Sequence, residues 1–211
     1  EIRDELDEVP ESSAETLSPT EASLRAEVAK SVSFPLNYPH WREGTLPLTS
    51  QIRQFLPAGS GSRYPLIFVL DHGQRSVPGW VLLDHRYAWG LGEWYRQQGL
   101  PVGAYVTVSR AEEPFTLSVS YDRRPRRGEW VKEAKVIDGA ISFEMQRRAY
   151  TCHYDRHLLL HPAEDPALDA LRQKLANEKP PLADLMLVVI PELLKLSSQG
   201  VFHAKTLYAA V

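Results

Sequence analysis

The chain has 211 residues, of which 43% are hydrophobic and 24% charged, enough apolar material for the core of one large or two small domains. No apolar run approaches the roughly 20 residues that a membrane-spanning helix needs, so no membrane partner is expected. A single cysteine, Cys152, excludes an internal disulfide and predicts a reducing, cytoplasmic setting.

The net charge of −3 hides an asymmetry. Nine of the 27 acids but only three of the 24 bases lie in the first 31 residues, leaving 18 acids and 21 bases for the rest. An acidic segment therefore precedes a mildly basic body. Residues 1–31 are rich in Ser, Pro and acids and read as a linker with one short helix over 22–30. Starting at Glu1 and stopping at Val211 inside a helix-like run, the sequence reads as a fragment of a longer protein.

A β-rich, barrel-like domain is predicted over residues 32–161. Thr45–Leu48 reads as a short strand, followed by a helix over Thr49–Phe55 that Pro57 stops. Leu66–Leu70 is an apolar, β-branched run and predicts a buried strand, and Trp80–Leu83 predicts the next. Trp89, Leu91, Trp94 and Tyr95 recur at helical spacing, with Gly99 as C-cap. Polar and apolar residues alternate over Ala104–Ser109, as in a strand with one buried face. Further strands are predicted at Phe115–Tyr121, Glu129–Val136, Ala140–Met145 and Ala149–Leu160. Residues 162–211 change character and predict helices over Pro166–Asn177, Leu182–Leu196 and His203–Val211, with breaks at Pro180-Pro181 and Gly200. The fold class is thus α+β, a barrel-like domain followed by a small helical region.

The order Trp80–Leu83, Arg86-Tyr87, Trp89–Tyr95, Gly99–Gly103 and Val106–Arg110 resembles the B-three (auxin-response-factor-type) DNA-binding pseudobarrel. Leu46–Leu48 and the helix ending at Phe55–Pro57 are similar to that family's earlier strand and helix. The resemblance covers about residues 34–110. It implies a pseudobarrel fold and duplex DNA as partner, gripped by two loops. These correspond here to His40, Trp41 and Arg42, and to Asp84, His85 and Arg86.

Arginine reads guanine bidentately or binds phosphate, so Arg42 and Arg86 are the preferred contacts, with Trp41, Arg75 and His85 beside them. The densest positive run is Arg123, Arg124, Arg126 and Arg127, which Pro125 and Gly128 place in a turn. Each of these also has a plainer reading as a solvated loop or hairpin-tip residue. Trp80, Trp89, Trp94 and Trp130 fall within predicted elements and read as core, leaving Trp41 as the exposed aromatic.

No catalytic residue, metal ligand or cofactor is assigned. His153 and His157 on a strand would stand about 13 Å apart, too far to share an ion. Asp71-His72 and Glu144 do not assemble the converging carboxylates of a metal nuclease. A basic helix at His203–Tyr208 after a turn is a weak helix-turn-helix signal beside the plainer helical hairpin. The leading expectation is a non-enzymatic module that binds nucleic acid, with duplex DNA as partner. The alternatives are a protein-interaction module using the helical C-terminal segment and a nuclease-like enzyme.

Overall fold

The computed structural model describes residues 31–57, 61–162 and 166–210. The linker and the short helix expected over 1–31 lie outside these residues, save Ser31. Seven strands form one curled sheet, a half-barrel, in the order β1 (Ser31–Pro35), β6 (Tyr105–Arg110), β7 (Thr116–Tyr121), β3 (Arg63–Leu70), β4 (Arg75–Leu82), β5 (Tyr87–Trp89) and β2 (Thr45–Pro47). Its pairings are antiparallel except β3 with β7. A second sheet has the order β10 (Leu160–Pro162), β8 (Arg123–Ile137), β9 (Ala140–Cys152). Among the described residues six α-helices accompany the sheets: α1 (Tyr38–Glu43), α2 (Ser50–Arg53), α3 (Gly92–Gln97), α4 (Pro166–Glu178), α5 (Leu182–Lys195) and α6 (Ala204–Ala210). The architecture is α+β, as the sequence predicted.

Local sequence explains most elements. In β3 the inward positions Tyr64, Leu66, Phe68 and Leu70 are buried and the alternate ones are not, the period-two pattern of a strand with one covered face. Ile67 is exposed, so this apolar run is buried on one face, not on both. Thr49 caps α2 by accepting the Ile52 N–H at 3.3 Å. At the end of α3, Gly99 takes φ 60°, and the Leu100 N–H reaches back to the Tyr95 carbonyl at 3.0 Å.

Several expectations are corrected. Trp89 belongs to β5, because Thr45 on one side and Trp80 on the other pair with it, and α3 begins only at Gly92. Of the four tryptophans read as core, only Trp94 is buried. Trp80 is 40% exposed, Trp89 53% and Trp130 67%, because strand alternation turns them outward. Strand β9 is a single element ending at Cys152, so Ala149–Leu160 is not one strand; residues 153–159 form a bridge and turns instead.

Gly44 ends α1 in the left-handed region, at φ 65°. Its backbone lies so close to α3 that a Cβ there would sit 2.4 Å from Gly92 Cα. The Gly44 carbonyl accepts the Leu91 N–H at 2.9 Å. This close approach sets the entry of α3 and fixes Trp94 and Tyr95, both almost fully buried.

Two hydrophobic clusters result. The larger fills the half-barrel and includes Val131, Tyr150 and Cys152 from the second sheet. The smaller joins Val102, Ala134, Phe143 and Leu160 to Val189 and Leu193 of α5. The helical region thus shares a core with the β8–β9 ribbon. A largely apolar cavity of about 500 Å³ remains between the ribbon tip at Gly139 and Ala140 and the helices α4 and α5. Helix α6 is pinned to the turn after β9. Lys205 pairs with Asp155 at 2.7 Å, the Thr206 hydroxyl donates to the His157 carbonyl at 2.9 Å, and His157 stacks on His203 at 4.1 Å.

Two outcomes follow from these contacts. Gly44→Ala is expected to lower stability by about 2 kcal/mol or more in urea denaturation, because it adds a clash to a positive φ. Gly73→Ala, at φ 93° but facing open space, should cost only about 1 kcal/mol. The second outcome concerns Asp155. Burial alone would raise its carboxyl, but hydrogen bonds from Lys205 and the His157 N–H outweigh it and hold the group below its ordinary range. Its stabilisation is therefore complete above about pH 4 and is lost as pH falls through the folded-state value. Asp155→Asn should be less stable than wild type at pH 7, and its stability should fall less steeply below about pH 4 in denaturation curves.

Candidate nucleic-acid interface

The first loop expected to grip DNA is a helix, and its side chains are occupied. Asn37 caps α1 by accepting the His40 N–H at 3.2 Å. His40 Nδ1 lies 2.7 Å from the Thr45 hydroxyl, and burial lowers the imidazole from its ordinary value. Trp41 is half-buried and not the exposed aromatic. Its indole N–H donates to the Leu100 carbonyl at 2.7 Å, and its ring packs against both hydrophobic clusters. Arg42 forms an ion pair with Asp169 of α4 at 2.5 Å.

The second loop is open. Asp84, His85 and Arg86 are exposed, Arg86 adopts φ 57°, and His85 stacks on Tyr87 at 5.8 Å. The two segments sit at opposite ends of the short β2–β5 ladder, since Pro47 pairs with Tyr87 and Thr45 with Trp89. Arg75 stands apart from both, bound to Gln97 and 3.7 Å from Glu93 of α3.

The arginine run at 123–127 is not in a turn. It begins strand β8, with a register shift between Arg123 and Arg127. Pro125 is tolerated there because the ladder with β9 is interrupted over the same residues. Arg123 is 3.4 Å from Asp71 and lies over the Tyr121 ring at 5.1 Å. Arg124 turns inward, 3.5 Å from Glu129 and 4.4 Å above the Tyr154 ring, with its Nε unpaired. The ring face offsets part of that orphaned donor. Arg126 and Arg127 are exposed and have no carboxylate partner among the described residues.

Beyond this run the ribbon separates its charges by face. Cross-strand register places Glu129, Glu133, Lys135, Glu144, Gln146 and Arg148 on one side. There the charges pair: Glu133 with Arg148 at 2.6 Å, Glu144 with Lys135, and Gln146 with Glu144 at 2.7 Å. Lys135 and Gln146 hold the Glu144 carboxyl below its ordinary value.

The other side of the same stretch carries Gly128, Trp130 and Lys132 opposite Ala149, Arg147 and Met145, with no acid among them. Trp130 pairs directly with Arg147. A Cβ at Gly128 would lie 3.2 Å from Arg147 Nε, so the glycine lets the guanidinium lie close over the strand. Burial, and then the nearby Arg156, lower the Lys132 ammonium from its ordinary value. Among the described residues neither Lys132 nor the exposed Arg156 has an ion-pair partner, and Lys132 is the strand neighbour of an exposed indole. That arrangement attracts an anion and offers a flat π-face next to it.

The sequence singles out Arg126 and Arg127 by charge density, but it gives Trp130 as core and draws no attention to Lys132, Arg147 or Arg156. Part of the signal was present: over residues 129–137 the acids occupy only odd positions, so the even face of a strand there carries none. What was missing was the register that brings Arg147 beside Trp130. The acids and histidines capable of acid–base or metal chemistry are dispersed. Asp71 accepts from the Trp94 indole at 3.3 Å, His153 is 4.0 Å from Asp122, and His161 meets the Tyr150 hydroxyl at 3.3 Å. Among the described residues no three His, Cys, Asp or Glu side chains converge as metal ligands, and no helix is long and apolar enough to cross a membrane. Comparison of the chain with protein-family models, with curated proteins and with solved structures found no match, so the interface is read from its own geometry.

Proposed function

We propose that the protein is a non-enzymatic nucleic-acid-binding module whose contact surface is the acid-free face of the β8–β9 ribbon. The observation that carries this reading is the cross-strand pairing of the 67%-exposed Trp130 with the exposed Arg147; Arg126 and Arg127, at the start of the same strand, add charge at the base of the ribbon. Cations without carboxylate partners neutralise phosphate and release its counterions, whereas cations already paired gain little. In the second of the two expected gripping loops His85 and Arg86 remain exposed, and Arg86 has no carboxylate partner among the described residues. Arg42 and Arg123 serve internal ion pairs first.

A second reading, a protein-interaction module, is favoured by a different surface. Leu182, Leu187 and Val188 of α5 are exposed on a helix that is apolar nearly all round. Trp80 and Trp89 form a further exposed pair on the outer face of the half-barrel. Aromatic and aliphatic surface of this kind suits a protein partner better than phosphate.

A salt titration decides between them. Labelled oligonucleotide is expected to bind wild type with an affinity that falls steeply with salt. The triple variant Arg126→Ala, Arg127→Ala, Arg147→Ala should bind at least about 10-fold more weakly at low salt, with a log–log salt slope shallower by about 2–3. Binding that is absent at low salt, or indifferent to salt and to the triple substitution, would sink the nucleic-acid reading and leave the apolar surfaces as the functional ones.

A further inference from the structure

We propose that the ribbon face takes an unpaired, single-stranded segment of nucleic acid, with one base stacked on Trp130 and the flanking phosphates held by Arg147 on one side and by Lys132 with Arg156 on the other. The inference rests on the nucleic-acid reading and departs from the duplex partner that the family resemblance implies.

Three observations carry it. The first is the indole itself. Trp130 is 67% exposed, and its strand neighbours on that face are Gly128 and Lys132, neither of which covers it with a ring. In a duplex the base faces are already stacked, so an exposed indole gains nothing from them. In a single strand every base offers a free face.

The second is the position of the cations. Arg147 is the direct cross-strand neighbour of Trp130, and Lys132 follows it on the same face, roughly 7 Å along the strand. Lys132 is held below its ordinary value by burial first and by the charge of the exposed Arg156 second, and neither cation has an ion-pair partner among the described residues, so an added anion would find positive charge there that is not already neutralised. The strand acids Glu129, Glu133 and Glu144 lie on the opposite face, where they are paired.

The third is steric. A free two-stranded ribbon enters a major groove about 12 Å wide. This ribbon is anchored at both ends. Its base joins the half-barrel core through Cys152, and its tip at Gly139 and Ala140 packs toward the helices. At Lys132 it is already three-stranded, because β10 pairs there with β8. Three backbones at strand spacing span roughly 10 Å before any side chain is added. The exposed face is therefore a platform for a strand lying across it, not a wedge for a groove.

Fluorescence anisotropy at low salt tests this with three probes: a 20-nucleotide oligothymidylate, the matching oligouridylate and a 20-base-pair DNA duplex. At least one single strand is expected to bind at least about 10-fold tighter than the duplex. Trp130→Ala should weaken single-strand binding by roughly 5- to 100-fold and leave the duplex value unchanged, while Trp130→Phe should restore most of the loss. Thermal unfolding of both variants should match wild type, since the side chain is outside the core. A preference for the DNA or for the RNA strand identifies the source and supports the inference either way. Duplex binding as tight as single-strand binding, or a folded Trp130→Ala that binds single strands normally, overturns the inference while leaving the nucleic-acid reading intact. No binding to any probe overturns both.

Discussion

Strand β8 is shared between two cores, and the rest of the structure is arranged around that fact. Val131 points into the half-barrel and Ala134, three residues on, points toward the helices. Strand alternation makes this possible, because residues of opposite parity face opposite ways. Burying Val131 and Tyr150 on one side and Phe143 on the other stabilises both contacts with the same ribbon. Each such large apolar side chain contributes about 1.5–3 kcal/mol. The ribbon cannot shift by one residue without exposing one set and burying charge in the other.

That constraint also sorts the charges. On the paired face Glu133 is almost fully buried, so it needs Arg148, and Glu144 is met by Lys135 and Gln146. Removing one partner from such a pair would leave a poorly solvated charge. On the opposite face the middle of the ribbon is uncovered, and its cations form no ion pair among the described residues. The contrast between the two faces of one hairpin identifies the candidate surface better than the density of arginine in the sequence does. The run from Arg123 to Arg127 is the richest in charge, yet Arg123 and Arg124 are turned toward Asp71, Glu129 and two tyrosine rings.

Much of the local structure was legible in the sequence, for identifiable reasons. The alternation over Ala104–Ser109, the short helix after Thr49, the left-handed Gly99 and the breaks before α5 and α6 are short-range signals that neighbouring residues settle among themselves. The tryptophans show where this fails. Trp80 and Trp130 sit in strands, as expected, and Trp89 sits in one although a helix was expected there, but whether a strand position faces the core depends on which side of the sheet is covered. Trp41 shows the converse: a residue in an apparent loop became a half-buried anchor because Leu100, 59 positions away, offers its carbonyl.

The sequence by itself determined the α+β character, the order of most strands and helices, and the acid-free parity of residues 129–137. These depend on contacts within a few residues, or on composition alone. Only the tertiary structure decided that the arginine run lies in a strand, that α1 is tied down through Trp41 and Arg42, and that Trp130 stands beside Arg147. Each of those outcomes depends on a partner that is distant in the chain, brought near by sheet register and shared burial. Periodicity in one segment carries no information about which other segment it will meet.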